Sequence, residues 1–247
     1  MTAYSHFSRY YDELTENVDY HRRAACIDRL VKDYLPDAEL LLDLACGTGN
    51  FSFEMARLGY DVTGVDVSPD MLSVAMQKRG GESILFLNQS MEELDLYGTV
   101  DVTISMLDSF NHITDISLLN QAIGRLKLFI APGGLLLFDV NTEYKHRDIL
   151  GNHSFIYDSD GVFCTWRNQC SADGTVEMTL DFFAPGECGG YERYRECFCE
   201  RLYSDTELRE MLVAHYFTVI DVLDGDSFGQ PEQKSQRLLY IAKRCGS

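Results

Sequence analysis

Gly47 and Gly49 stand one residue apart in LLLDLACGTGN (residues 40–50), after an apolar run that carries a single acid, Asp43. Two glycines in that place let the backbone turn sharply and leave room for a ligand against the main chain. A second acid, Asp66, follows 17 residues beyond Gly49. A carboxylate at about that distance from a glycine turn accepts hydrogen bonds from the hydroxyls of a bound ribose. The dinucleotide fingerprint G-x-G-x-x-G would need a third glycine where Ser52 stands. A pyrophosphate-binding turn, and with it a nicotinamide oxidoreductase, is therefore disfavoured.

Asp108, Asn111 and His112 follow a later apolar run, DVTISM (residues 101–106). In an open α/β sheet the ends of the strands face the ligand crevice, so these polar groups stand where a reacting group would lie. Ser109, Asn111 or Asp115 also suits the cap of the next helix. By intrinsic pKa, His112 is the best general base, with Tyr11 and Asp139 behind it. Asp139 and Asn141 end the run LLLFDVN (residues 135–141) and face the same edge. Cys197 and Cys199 form a C-x-C pair with loose partners at Cys164 and Cys170. Zinc sites use C-x₂₋₄-C pairs, so no metal is expected.

The elements that must position these groups alternate between strand and helix. Strands are expected at residues 40–44, 60–65, 84–87, 101–106 and 135–140. Helices are expected at 51–58, 69–78 (Ser68 as cap, Pro69 first) and 117–130. Pro132-Gly133-Gly134 is expected to stop the last of these helices and open the fifth strand. Residues 1–36 read as an N-terminal helical cap. Tyr4, Phe7, Tyr11 and Leu14 share one face, and a second helix spans 21–35. Residues 152–202 change character to short alternating runs separated by turns at 159–161, 173–174 and 186–190. They read as three or four antiparallel strands inserted after strand five as a lid over the ligand edge. Alternation puts Cys164, Trp166 and Asn168 on one face, and Phe163, Thr165 and Arg167 on the other. Trp166, Arg193 and Arg195 are the candidates for an acceptor pocket there, with Asn111 and Asn141 at the sheet edge. Ser204 caps a helix over 205–214, and residues 217–223 and 237–242 read as an antiparallel hairpin.

The segment D-x-A-x-G-x-G, Asp43 to Gly49, resembles motif I of class I S-adenosylmethionine-dependent methyltransferases, with Ala45 in place of the commonest first glycine. GVDVSPDMLSVA (residues 64–75) is similar to that family's G-x-D-x-S-x-x-M-L-x-x-A, and FIAPGGLLLFDV (129–140) to its L-x-P-G-G-x-L-x-F-D. DSFNHI (108–113) resembles the D-S-x-N-Y-[IL] signature of one bacterial subfamily of small-molecule type, which usually has Tyr in place of His112. YSHFSRYYDEL at the N-terminus resembles that type's opening segment. The resemblance covers essentially the whole chain. It implies a single methyltransferase domain over 1–247: a Rossmann-like, seven-stranded, mostly parallel sheet with helices on both faces and an antiparallel β insertion after strand five. It implies S-adenosyl-L-methionine as cofactor. Asp43, Ala45, Gly47 and Gly49 would lie under it, Asp66 and Val67 at its ribose, and Met71 against the adenine. Gln89 or Ser90 would stand in place of the acid that meets the adenine amine, a job that backbone amides could also do, and Met91 completes that stretch as a cofactor-binding candidate. Tyr11, Tyr20 and Asp108 would complete the site.

Net charge is −18 over 247 residues. Nucleic-acid binding needs phosphate neutralisation by Lys and Arg, and the few basic clusters do not supply it. No apolar run approaches the ~20 residues of a membrane span, and the N-terminus lacks signal-peptide features. Eight cysteines without a secretory signal read as free thiols. The expectation is a cytoplasmic enzyme, monomer or homodimer, acting on a small-molecule acceptor. The other reading is a non-catalytic S-adenosylmethionine-binding or scaffold protein.

Overall fold

The computed structural model of the chain describes residues 7–78, 81–158, 161–186 and 189–246. Tyr4, Ser159 and Asp160 lie outside them, as do Glu187 and Cys188 of the 186–190 turn and the side chain of Phe7. The first sheet contains β1 (Leu40–Leu44), β2 (Asp61–Asp66), β3 (Leu85–Asn88), β4 (Val100–Ser105), β5 (Ile130–Asn141), β10 (Phe217–Asp224) and β11 (Arg237–Arg244). Its order is β10-β11-β5-β4-β1-β2-β3. β3, β2, β1, β4 and β5 run parallel, and β11 is antiparallel to both β5 and β10. The order reverses at β1, so the glycine turn after β1 and the segment after β4 lie together at the crevice.

β1 is apolar on both sides because both faces of the sheet are covered. Leu41 packs with α2 (Tyr20–Tyr34) and α3 (Asn50–Arg57). Leu42 and Leu44 pack with α5 (Ile116–Phe129) and α6 (Asp205–Ala214) on the other face. The caps are set locally. The Asp19 carboxylate accepts from Arg22 N–H at the start of α2. Ser68 accepts from Met71 N–H at α4 (Pro69–Gln77), and Ser204 and Glu207 form a capping box at α6.

One boundary differs from expectation. Pro132, Gly133 and Gly134 do not precede β5; they lie within it, because Ile130 already pairs with Val100. A register shift between Val100 and Val102 absorbs the extra residues. Gly134 is required there, since a Cβ would meet the Asp101 carbonyl oxygen at 2.6 Å.

After β5 comes a six-residue π-helical stretch, Lys145–Leu150, which the sequence pattern did not reveal. The insertion then forms a separate four-stranded antiparallel sheet: β6 (Ser154–Asp158), β7 (Phe163–Cys170), β8 (Val176–Pro185) and β9 (Tyr191–Glu200). Its inner face carries Cys164, Val176, Met178, Leu180 and Phe182, all buried, and packs on Tyr10 and Leu14 of α1 (Phe7–Leu14).

Candidate active site

The turn after β1 uses left-handed backbone three times, at Ala45 (φ 60°), Gly47 (φ 55°) and Gly49 (φ 78°). The two glycines serve different ends. A Cβ on Gly49 would press on Phe86 at 3.1 Å, so that glycine allows α3 to pack. A Cβ on Gly47 would meet nothing within 4 Å, because that position opens into the cavity. Asp66, at the end of β2, holds the turn. Its Oδ2 accepts the Gly47 N–H and its Oδ1 the Ser68 N–H, both at 2.8 Å. Burial raises the Asp66 carboxyl, and these two N–H groups oppose the rise. Asp43 is buried beneath the turn and accepts the Ser52 hydroxyl at 2.6 Å. Burial pushes its carboxyl up to about 7, against the Ser52 bond and with help from Asp66.

A cavity of about 490 Å³ runs from this turn to the inner face of the second sheet. α1 straps its side. Asp12 accepts from Thr48 Oγ1 at 2.7 Å and Asn50 Nδ2 at 3.0 Å, and pairs with Lys78 Nζ at 2.6 Å. On the same helix Tyr10 stacks on Phe182 of the second sheet, with ring centroids 5.9 Å apart. Tyr11 lines the cavity beside Tyr20 and Asp108. Burial, with Tyr20 and Asp108 adding, raises its phenol well above the ordinary value, which makes it a poor proton acceptor.

The far end of the cavity is polar. Leu107 and Asp108 adopt positive φ (59° and 55°) and turn the chain so that Asp108 N–H reaches Asp139 Oδ1 at 2.5 Å. Arg237, from the start of β11, donates to Asp108 Oδ1 at 2.6 Å and to Asp139 Oδ2 at 3.3 Å. Burial alone would raise the Asp108 carboxyl, but Arg237 and His112 outweigh it and hold it below its usual range. His112 Nε2 lies 3.9 Å from Asp108 Oδ2 and 3.8 Å from Glu200 Oε1. Burial lowers the His112 pKa, partly offset by Asp108, so the ring is neutral and able to take a proton at neutral pH. Glu200 ends β9 on its inward face. Burial, reinforced by Asp108, raises its carboxyl well above the ordinary range.

The chain is similar to known proteins in sequence and in fold. Residues 41–134 match a family model described as a methyltransferase domain. A protein of Geobacillus sp. (strain WCH70) assigned as a methyltransferase is 30% identical, over 98% of this chain and all of its own length. The like-assigned YqeM of Bacillus subtilis (strain 168) is 31% identical over 98% of this chain and 97% of its own. The crystal structure of an S-adenosylmethionine-dependent methyltransferase from Clostridium acetobutylicum ATCC 824 superposes with a TM-score of 0.88. It is 32% identical, over 98% of this chain and 99% of that one. The chain belongs to the S-adenosylmethionine-dependent methyltransferases. The donor set fits the cofactor: an open glycine at Gly47, a buried ribose-type carboxylate at Asp66, and no third glycine for a pyrophosphate.

In this methyltransferase most sequence-predicted positions converge on the one cavity. Tyr11, Tyr20, Asp43, Ala45 and Gly47 line it, as do Asp66, Val67 and Met71. Gln89, Ser90 and Met91 line the same end, and Asp108, His112 and Trp166 the other. The Gln89 amide closes on the Asp95 backbone with both its atoms, at 2.8 and 3.0 Å. Gly49 stands behind the turn.

Five further predicted residues are placed elsewhere. Asp139 is bound to Asp108 N–H and Arg237, behind the cavity. Asn111 is fully buried; its amide donates to Arg201 O at 2.8 Å and its Oδ1 accepts Asn141 N–H at 3.0 Å. Asn141 donates to Glu200 Oε2 at 2.8 Å from outside the cavity wall. Arg193 and Arg195 point to the outer face of the second sheet, where both bind Asp181, at 2.8 and 2.7 Å. Those two are therefore corrected as acceptor-pocket residues, because strand alternation turns them away from it. Glu200 and Arg237 were missed. The inward register of Glu200 with Phe198 on β9 was the available signal; Arg237 offered none in its local sequence.

Proposed function

We propose that this enzyme methylates a small molecule enclosed between the glycine turn and the inserted sheet, in line with the bacterial subfamily that carries the D-S-x-N segment. The observation that supports this is the continuity of the cavity. One end is the turn with Gly47 and Asp66, and the other is an apolar wall of Trp166, Leu180 and Phe198 closing on Asp108, His112 and Glu200. S-adenosylmethionine supplies a methyl group already activated by its sulfonium, so the chain's own task is alignment and exclusion of water. Fixing an acceptor in line provides roughly 7–11 kcal/mol of barrier lowering. Asp66 holds the ribose, Met71 and the 89–91 segment hold the adenine, and Tyr11 and Tyr20 close over the cofactor from the N-terminal cap. His112 takes a proton where the acceptor carries one. The inserted sheet acts as the lid. A reducing, cytoplasmic setting accords with cysteines that are all unbridged among the described residues. No helix among the described residues is long and apolar enough to cross a membrane.

The test is incubation of the enzyme with methyl-labelled S-adenosylmethionine and a bacterial extract split into small-molecule, protein and nucleic-acid fractions. The label is expected in the small-molecule fraction. Label confined to protein or nucleic acid would overturn the enclosed-acceptor reading.

A further inference from the structure

Asp108, His112 and Glu200 bring one oxygen or nitrogen each to within 4.8 Å of one another, at the end of the cavity walled by Trp166, Leu180 and Phe198. Around them acceptors outnumber donors. Asn141 Nδ2 donates to Glu200 Oε2 at 2.8 Å, Glu200 shares a hydrogen bond with Asp108, and its Oε1 lies 3.8 Å from His112 Nε2. Behind stands His146, fully buried. Its Nδ1 faces the Gly174 carbonyl at 2.8 Å, and since a carbonyl only accepts, Nδ1 carries the proton. Its Nε2 is thus a bare lone pair, 3.5 Å from Glu200 Oε2 and without a hydrogen bond. The nearby cations are engaged: Arg237 on Asp108 and Asp139, and Lys145 on Gln236 Oε1 at 2.9 Å. Trp166 and Phe198 line the approach, and the Phe198 ring lies 5.2 Å from that of His112. A converging set of acceptors beside aromatic faces matches a group that brings several N–H donors and a positive charge.

We propose that the Asp108–His112–Glu200 cluster is the docking point for a primary or secondary amine of the acceptor, bound as its ammonium ion. This rests on the small-molecule reading above. One N–H bond then breaks: the electron pair stays on nitrogen as the nucleophilic lone pair, and the proton passes to His112. Binding has a second consequence. In the free enzyme burial, the Asp108 charge and a hydrogen bond with Asp108 favour the neutral acid of Glu200, while the Asn141 amide, Arg237 and Lys145 pull the other way. His112 and His146 face it with pKa values lowered by burial and add no fixed charge. An arriving cation favours the Glu200 carboxylate, so a proton leaves as the amine binds.

The experiment uses the full-length enzyme saturated with S-adenosylhomocysteine. Benzylamine, phenethylamine and cyclohexylamine are titrated calorimetrically against benzyl alcohol, phenethyl alcohol and cyclohexanol, in two buffers of different ionisation heat near pH 7. Magnesium and zinc chloride are titrated separately. The amines are expected to bind about tenfold or more tightly than their alcohols, with proton release. Glu200→Gln is expected to abolish that preference while leaving S-adenosylhomocysteine binding in place. Equal binding of amines and alcohols would overturn the proposal. So would a metal ion that binds at the cluster and blocks the amines, since the site would then be a metal centre. If Glu200→Gln does not fold, the wild-type comparison still decides. Failure of S-adenosylhomocysteine to bind would instead strike the cofactor assignment, before the amine arm begins.

Discussion

Asp66→Ala is expected to raise the dissociation constant for S-adenosylhomocysteine by roughly 100-fold or more, measured by calorimetric titration. Two effects combine. On the proposed reading the carboxylate accepts the ribose hydroxyls, and it also fixes the turn through Gly47 N–H and Ser68 N–H, each at 2.8 Å. Charge-assisted hydrogen bonds of this kind are worth about 1.5–3 kcal/mol each. Asp66→Asn, which keeps one acceptor oxygen, is expected to fall between the two. Thermal unfolding without ligand separates loss of binding from loss of fold. A dissociation constant within about threefold of wild type in Asp66→Ala would remove Asp66 from the cofactor site.

Arg237→Met is expected to destabilise the fold by about 3–5 kcal/mol, measured by urea unfolding. Its guanidinium is only 14% exposed and joins Asp108 to Asp139, which is 2% exposed. Removing one partner leaves Asp108 and Asp139 without the guanidinium that pairs them, and the fold must lose stability or take up a proton. The double variant Arg237→Met, Asp139→Asn is expected to regain part of the loss, because one of the stranded charges is gone. A loss below about 1 kcal/mol in the single variant would class the pair with solvent-exposed salt bridges.

The two substitutions also mark which features local sequence could and could not reveal. The turn with Gly47 and Asp66 was legible, because strand, glycine turn and acid lie within one βαβ unit and each is set by its neighbours. The inserted antiparallel sheet was legible from its period-two alternation and its intervening turns. Arg237 was not. It meets Asp108 across 129 positions only because β11 lies antiparallel on β5 with Arg237 opposite Asn141. Glu200 depends in the same way on β9 pairing with β8 so that it stands opposite Val176 on the inner face. Arg193 and Arg195 show the reverse error. Their charge suggested a pocket, but the register that pairs Arg195 with Asp181 puts them on the outer face. The extension of β5 back to Ile130 follows from a bulge, and a bulge is a property of two strands together.

A crystal structure of the enzyme with S-adenosylhomocysteine bound tests the two-ended cavity most directly. The ribose hydroxyls are expected within hydrogen-bond reach of Asp66, at about 2.6–3.2 Å, with the adenine beside Met71 and the sulfur facing Asp108 and His112. A ribose held away from Asp66, or a sulfur directed away from the Asp108–His112 end, would contradict the assignment of cofactor and acceptor to the two halves of the cavity.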